Sequence, residues 1–487
     1  IMDDNKQNRE ENQQQSSIYE TVPVEEVAPE IQSPMSDDVS SSSYSSSNDF
    51  NFIPPVYQEN KKKYLLIGGV VVVFFILLLI ILKIIFSPKL STKQITLTYW
   101  GLWEEAQVFE PLIEQYRRIN PHIKIIYQKK EPKNYRDKLI VRSKDGQGPD
   151  IFRFHNTWLP QIKEIAAPLP PNIMSNSEFE KTFYKIHQRD LKIGNYFYGL
   201  PLTIDGLVLI YNESLFRKAG IFDPPTNWDE LTDIVSKLTV KDKNGQLITA
   251  GIAIGTANNI DHFSDIFGLM LVQNGGDITK LDQPEAVGAL ESYRKFAEPA
   301  YSFWEENMPL STIAFVQEKV AMIIAPSWQV IDIKAANPDI DLKTAPVPNI
   351  PGSPPLSIAN YWVEGVSRYS RHQIEAWKFL RFLIEKNNLT KLYEIQSKLR
   401  PFGLPYSRVD LAPLLSQHPY LASVIKQADH YVSLPLISRT FDNGLNDEII
   451  KYIENAINAT IAGVSYNEAL NTAKQGVDQV LNKYNLQ

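Results

Sequence analysis

The chain has 487 residues, enough for about two to four compact domains with sizeable cores. Its formal net charge of −7 argues against a nucleic-acid partner, because a surface that neutralises phosphates needs clustered Lys and Arg. The absence of cysteine excludes disulfides, thiolate metal ligands, a cysteine nucleophile and a lipid-modified cysteine anchor.

Residues 1–60 are acidic and polar. They carry twelve Asp and Glu residues against Lys6 and Arg9, together with the runs NQQQSS and SSSYSSS. Low hydrophobicity combined with high net charge cannot offset the entropy lost when a chain becomes ordered. We therefore predict a disordered tail over residues 1–60.

Residues 64–86 are strongly apolar. The run from Tyr64 to Leu82 is nineteen residues without a charge, and as a helix it would span about 28 Å, close to the hydrocarbon thickness of a bilayer. A buried core helix is the alternative, whereas a cleaved signal peptide would lie nearer the start and precede a small-residue cleavage site. We predict one transmembrane helix at 64–86. Lysines flank both ends, so the positive-inside rule gives almost no orientation.

Beyond residue 93 the pattern alternates between strands and helices. ITLTYW (95–100) alternates in the manner of a strand, and 106–120 carries one apolar stripe, which is typical of a helix. A second strand, IKIIYQ, follows at 123–128. Strand, helix and strand at this spacing predict a βαβ unit and thus a parallel sheet covered by helices.

Further elements continue this alternation. Asn227 stands three residues before Glu230, which is a capping-box spacing, and Pro284 stands where a helix can begin without its N–H. The remaining segments are predicted strands at 150–154, 207–212 and 320–325 and predicted helices at 447–462 and 467–483.

Catalytic signatures are missing from the sequence. It contains no GxSxG, HExxH or GxxxxGK[ST] motif, and its seven histidines show no pair at metal-ligand spacing. We therefore expect no catalytic residue, no metal and no cofactor. Carboxylate pairs such as Glu104–Glu105 could hydrolyse a glycoside, but a chain with fifty-six acidic residues contains many such pairs.

Aromatic residues stand beside polar residues in several predicted loops. Open α/β sheets bind ligands beyond the carboxyl ends of their strands, where aromatic faces can stack on sugar rings while Asp, Glu and Asn bond the hydroxyls. The alternative is that each ring packs in the core. The aromatic residues concerned are Trp100, Trp103, Trp158, Trp328, Tyr361 and Trp362.

Several stretches share their order with a known family. Residues 95–487 resemble the extracellular solute-binding proteins of ATP-binding-cassette importers, in the carbohydrate-type, maltose-binding-protein-like group. The stretches that carry the resemblance are ITLTYWGLWEE (95–105), FEPLIEQYRRINPHIKI (109–125), GQGPDIFRFHNTW (146–158), YGLPLTIDGLVLIYN (198–212), NWDEL (227–231), FVQEKVAMIIAPSW (315–328) and EAWKFLRFLIEK (375–386).

The resemblance implies an α/β, two-lobed periplasmic-binding-protein-like fold that closes around a ligand. The lobes would be joined by hinge crossovers near Leu202–Asp205 and Ala325–Trp328. The first lobe would comprise residues 94–204 plus 329–386, and the second would comprise 205–328 plus 387–487.

The resemblance also implies a set of ligand-binding residues. Where the maltose binder has an Asp-Arg pair, this chain has Asn156-Thr157, so a sugar other than maltose is expected. The implied residues are Trp103, Glu104, Asn156, Thr157, Trp158, Asp205, Phe263, Trp328, Tyr361 and Trp362.

The function implied is that of a membrane-anchored extracellular receptor, not an enzyme. It would deliver a mono- or oligosaccharide to the permease subunits of an ATP-binding-cassette importer. The helix at 64–86 would take the place of a lipid anchor in the cell membrane, with the N terminus in the cytoplasm and the large domain outside. A surface sensor or adhesion receptor with the same fold is the alternative, followed by a glycoside-processing enzyme.

Overall fold

The computed structural model describes residues 73–79 and 94–486. The chain divides into two compact units, Ile1–Pro88 and Lys89–Gln487. In the first unit residues 73–79 are helical, while the predicted tail at 1–60 and the rest of the predicted transmembrane segment at 64–86 lie outside the described residues. Among the described residues, no helix combines the length and the apolar character needed to cross a bilayer.

The strands of the second unit form two main sheets and two short strand pairs. In chain order they are β1 (Ile95–Gly101), β2 (Ile123–Lys129), β3 (Ile151–His155), β4 (Lys192–Ile193), β5 (Tyr196–Phe197), β6 (Leu200–Pro201), β7 (Leu207–Asn212), β8 (Val240–Lys241), β9 (Leu247–Ile252), β10 (Val320–Pro326), β11 (Leu342–Ala345), β12 (Ser357–Ile358), β13 (Trp362–Val366) and β14 (Tyr431–Val432).

The helices of this unit are numbered in the same way. They are α1 (Ala106–Ile119), α2 (Tyr135–Lys144), α3 (Leu159–Ile162), α4 (Asn176–Thr182), α5 (Lys185–Asp190), α6 (Glu213–Lys218), α7 (Trp228–Leu238), α8 (Phe263–Gln273), α9 (Pro284–Arg294), α10 (Ser311–Val316), α11 (Gln329–Ala336), α12 (Gln373–Leu383), α13 (Lys386–Leu399), α14 (Ala422–Gln427), α15 (Leu445–Ile461) and α16 (Tyr466–Lys483).

Local signals in the sequence account for several of these helices. The Asn227 side chain accepts a hydrogen bond from the Glu230 N–H at 2.9 Å, which confirms the predicted cap of α7. The Glu230 carboxylate reaches back to the N–H of Thr226 at 2.8 Å, one residue before the position that a capping box uses. Pro284 opens α9 as predicted.

The first sheet has the strand order β2-β1-β3-β13-β6. β1 runs parallel to β2 and β3, with Ile95 opposite Ile123 and Tyr99 opposite Ile151, so the predicted βαβ unit is confirmed. β13 runs antiparallel to β3 and β6, because the chain enters it on its return from the second sheet. The sheet is therefore mixed, whereas the βαβ unit alone predicts a parallel sheet.

The second sheet has the strand order β11-β7-β10-β9-β8. Its central strands β7 and β10 confirm the predictions at 207–212 and 320–325, and they are antiparallel to each other. Both are buried along their whole length. Burial on both faces explains why the sequences of these strands are continuous apolar runs and do not alternate between apolar and polar residues.

We call each main sheet with the helices packed against it a lobe, and two predicted lobe boundaries differ from the structure. β11 pairs with β7, with Leu342 opposite Asn212, so the predicted placement of its residues in the first lobe is wrong. α13 packs against α1, where Lys391 donates to the Gln115 side chain at 2.8 Å, so α13 belongs to the first lobe and not to the second. Both contacts join segments far apart in the chain, which local sequence patterns do not record.

Two crossovers that link the lobes lie side by side. Residues 202–206 lead from β6 to β7, close to the predicted Leu202–Asp205, and residues 346–361 lead from β11 back to β13. The second crossover is predicted at Ala325–Trp328, but β10 continues there into α11 within the second lobe. The Asn360 N–H donates to the Asp205 carbonyl at 2.9 Å, which joins the two crossovers.

A buried ion pair joins β3 and β13 within the first sheet. Glu364 lies opposite Arg153 in the strand register, and Arg153 Nε donates to Glu364 Oε1 at 2.7 Å. Both side chains are almost fully buried. Burial raises the pKa of the Glu364 carboxyl, and the adjacent Arg153 charge acts in the opposite direction.

We predict that Glu364→Gln lowers the free energy of unfolding by about 3–5 kcal/mol, because it leaves the Arg153 charge buried without its partner. Urea unfolding followed by circular dichroism measures the change. The matched control is Glu180→Gln, which removes an exposed pair with Lys192 and should cost about 1 kcal/mol or less. Equal effects of the two changes would contradict the prediction.

Candidate functional site

Aromatic rings meet at the carboxyl ends of β1 and β3 in the first lobe. Trp103 contacts Trp362 at a centroid distance of 5.6 Å and Phe441 at 6.4 Å. Trp103 and Phe441 are 41% and 42% exposed, and Trp362 is half-buried. We call Trp103, Trp362 and Phe441 the aromatic group, whose rings are open to a ligand.

Trp158 supports this group from beneath. It ends the 3₁₀ turn Asn156–Trp158 that follows β3, and its ring is fully buried. It packs edge-on against Trp362 at 5.2 Å and lies 6.2 Å from the Tyr135 ring. Its indole N–H has no acceptor among the described residues. In this structure Trp158 is a packing residue behind the aromatic group.

Asn156 bonds within the protein and not to the open face of the site. Its Nδ2 donates to Asp190 Oδ2 and to Ser433 Oγ, both at 2.9 Å. The Tyr361 hydroxyl donates to the same Asp190 carboxylate at 2.7 Å. Burial raises the pKa of Asp190, while these donors act to lower it. Asn156 and Tyr361 are thus brought together around one partly buried carboxylate.

Thr157 and Glu104 are also bonded within the protein. Thr157 Oγ1 accepts from Asn446 Nδ2 at 2.8 Å, which ties the 3₁₀ turn to α15. Glu104 Oε1 accepts from Gln396 at 2.9 Å and from Arg400 at 3.2 Å, which ties the loop after β1 to α13. Both residues are buried and position the loops that carry the aromatic group.

The second lobe contributes a polar group, which we define as Asp261, His262, Trp328, Gln329 and Arg439. The Trp328 ring is half-buried and meets the His262 ring edge-on at 5.8 Å. Arg439 donates to Gln329 Oε1 at 3.0 Å and lies 3.3 Å from Asp261 Oδ1. Within this group the Trp328 ring and the Arg439 side chain are accessible, whereas His262, Gln329 and the Asp261 side chain are buried beneath them.

Phe263 differs from its expected position. The resemblance places it projecting from the second lobe, but its side chain is only 9% exposed at the start of α8. The residue before it, His262, is the one that contacts Trp328. Asp261 and His262 stand in the same NIDHFSD stretch as the buried Phe263.

Arg439 and Phe441 have no counterpart among the predicted site residues. They stand in SRTFDNG (438–444), which has no periodicity that would indicate a site. The Asn443-Gly444 pair, typical of a turn, is the one local signal, and it marks a bend without showing what the bend faces.

Asp205 lies in the first crossover and contacts the end of β10. Its carboxylate accepts from the N–H of Gly206 at 2.7 Å, from the hydroxyl and N–H of Ser327 at 2.9 and 3.2 Å, and from the N–H of Trp328 at 3.1 Å. Burial raises the pKa of the Asp205 carboxyl to about 7, although these donors act to lower it. Both carboxylate oxygens of Asp205 are thus occupied by hydrogen bonds from Gly206, Ser327 and Trp328.

The model of the bacterial extracellular solute-binding protein family matches residues 100–388. The chain belongs to this family. Among curated relatives of this solute-binding protein, the maltotriose-binding protein of Pyrococcus abyssi is 24% identical over 248 residues, which cover 50% of this chain and 51% of that protein. The chain thus spans about half the length of this relative. The multiple sugar-binding protein of Streptococcus mutans is 22% identical over 354 residues, covering 70% and 82%.

Solved structures share the two-lobed fold of this solute-binding protein. A cyclo/maltodextrin-binding protein complexed with maltotetraose has a TM-score of 0.65 at 20% identity, covering 81% of this chain and 99% of that chain. The sugar-binding protein MalE from Xanthomonas citri has a TM-score of 0.66 at 18% identity, covering 80% and 98%. The predicted α/β, periplasmic-binding-protein-like fold is confirmed.

We predict that Asp205 makes stability depend on pH. Its carboxyl binds a proton more tightly in the folded protein than at its ordinary pKa of 3.8, so its contribution favours folding at low pH and is lost as the pH rises towards about 7. Relative to Asp205→Asn, the wild-type free energy of unfolding should fall by about 1.4 kcal/mol per pH unit in this window. Urea unfolding between pH 4 and 8 measures both proteins, and parallel profiles would contradict the prediction.

Proposed function

We propose that this protein is an extracellular receptor that binds a mono- or oligosaccharide and delivers it to the permease subunits of an ATP-binding-cassette importer. The names of the relatives support a sugar as the ligand. The observation that carries the proposal is the aromatic group, whose exposed Trp103 ring lies at the carboxyl edge of the first sheet.

The chemistry of the two surfaces suits a sugar. The faces of Trp103 and Trp362 can cover the C–H face of a pyranose ring. The Arg439 guanidinium can donate to its hydroxyls because its side chain is 39% exposed, while the buried Gln329 and Asp261 side chains hold it in place. Trp328 supplies an aromatic face from the second lobe. A ligand held from both sides in this way would favour closure of the lobes.

The predicted site residues divide into three roles under this proposal. Trp103, Trp328 and Trp362 contact the ligand, and Asp205 fixes the hinge. The remaining predicted residues are buried and hold the ligand-contacting loops in place; they are Glu104, Asn156, Thr157, Trp158, Phe263 and Tyr361.

We further propose that residues 64–86 anchor the receptor in the cell membrane, with residues 1–60 in the cytoplasm. Nineteen uncharged residues support the anchor, and the orientation follows from the proposed receptor role, since lysines flank both ends of the run. A tether of this kind keeps a receptor close to its permease and raises its effective concentration there.

We predict that Trp103→Ala and Trp362→Ala each weaken sugar binding by about 1–3 kcal/mol, because each removes an aromatic face from the site. Calorimetric titration with a panel of sugars that includes maltotriose measures this. Trp228→Ala is the matched control, because that ring lies at the start of α7 and bonds Gln273. Trp158→Ala should instead lower stability by about 3–5 kcal/mol.

Unchanged affinity in both Trp103→Ala and Trp362→Ala would place the ligand elsewhere. Failure of every sugar to bind the wild type would contradict the proposed ligand class. Release of shortened sugars from a bound oligosaccharide would favour a glycoside-processing enzyme.

We predict that proteinase treatment of intact cells digests the large domain and leaves a membrane-protected fragment of about ninety residues, since residues 1–86 would be inside or within the bilayer. Immunoblotting with an antibody against the N-terminal tail detects the fragment. Permeabilised cells are the control, in which the tail should also be lost. Protection of the large domain in intact cells would reverse the orientation and contradict an extracellular receptor.

A further inference from the structure

The segment Ser433–Asn446 passes between the lobes more than once. Ser433 Oγ donates to Asp190 in the first lobe at 2.6 Å. The Ser438 N–H then donates to Asp265 in the second lobe at 3.0 Å. Asp442 returns to the first lobe, where it accepts from Gln161 at 2.9 Å. We call Ser433–Asn446 the interlobe segment.

Three residues of the interlobe segment adopt left-handed backbone conformations. The φ angles of Arg439, Phe441 and Asn443 are 62°, 55° and 46°. Asn tolerates this conformation because its short side chain can bond locally, whereas Arg and Phe rarely adopt it. Such strain persists where surrounding contacts determine it and is concentrated at functional sites. Arg439 and Phe441 are therefore the residues whose contacts require an explanation.

The two strained side chains reach opposite lobes. Arg439 bonds Gln329 and lies beside Asp261, and both of these partners belong to the second lobe. Phe441 meets the Trp103 ring in the first lobe. Two residues apart in the chain, Arg439 and Phe441 thus connect the polar group to the aromatic group. A rotation that separates the lobes has to break at least one of the two connections.

We propose that Arg439 and Phe441 determine the receptor's ligand affinity by linking the two lobes across the site. This rests on the proposed function, because affinity has meaning only if a ligand binds between the lobes. Contacts between the lobes raise the population of the compact form before any ligand arrives. Since the apparent dissociation constant is the intrinsic one divided by the fraction in the binding-competent form, these contacts tighten binding in addition to any contact that either side chain makes with the ligand.

The test measures the distance between the lobes in the full-length chain without sugar. The chain has no cysteine, so Arg142→Cys on α2 and Lys237→Cys on α7, both at exposed positions, give one label on each lobe. Electron–electron double resonance then reports the distance distribution. Arg439→Gln and Phe441→Ala should each move the distribution to longer distances.

Two further variants make the test specific. Asp261→Asn breaks the same link from the second lobe, and combined with Arg439→Gln it should add little to the shift that either causes alone. Lys343→Ala is the control, since it removes an ion pair with Glu213 inside the second lobe and should leave the distance unchanged. For a sugar that binds the wild type, Arg439→Gln should raise the apparent dissociation constant roughly fivefold.

The outcomes separate this proposal from the proposed function. If Arg439→Gln and Phe441→Ala both leave the distance distribution unchanged, the link between the lobes is refuted even when sugar binds. If both variants lengthen the distance and no sugar binds the wild type, the link is supported and the proposed function fails.

Discussion

The ion pair between Arg153 and Glu364 is the constraint on which the geometry of the site depends. It fixes β13 against β3 in one register inside the first sheet. Arg153 also donates to the carbonyl of Leu102 at 3.1 Å, so the same guanidinium holds the loop that begins at the end of β1. Trp103 follows Leu102, and Trp362 begins β13. The two rings are therefore placed by one buried interaction beneath them.

Much of the fold could be predicted because many helices and strands are determined by residues that are neighbours in the sequence. Strands β1 and β2, helix α1 and the cap at Asn227 each follow from the residues that form them. The lobe boundaries could not be predicted in this way. They depend on the pairing of β11 with β7 and on the packing of α13 against α1, and both are contacts between distant segments. A local pattern specifies an element but does not specify which sheet receives it.

For the candidate site, the sequence indicates which loops are involved but not which of their side chains are exposed. Trp103 and Trp158 both follow strands and look alike in the sequence, yet the first is exposed and the second is fully buried. The 3₁₀ turn that places Trp158 inside depends on the bond between Thr157 and Asn446, nearly three hundred residues away. In the sequence Asp205 likewise looks like a ligand-binding carboxylate, but in the structure its oxygens accept hydrogen bonds from four donors within the protein. For Arg439 and Phe441 the one local signal is the nearby Asn443-Gly444 turn, which does not show what the turn faces.

The backbone at Trp103 has a consequence for how this solute-binding protein can evolve. Its φ angle of 65° is held from both sides, because Leu102 bonds Arg153 and the carbonyl of Glu104 accepts from the Tyr127 hydroxyl at 2.8 Å. The loop therefore keeps its shape through bonds that do not involve the side chain at position 103. A substitution at position 103 therefore changes the side chain that faces the site while the backbone of the loop keeps its conformation. Specificity can drift at this position without rebuilding the lobe.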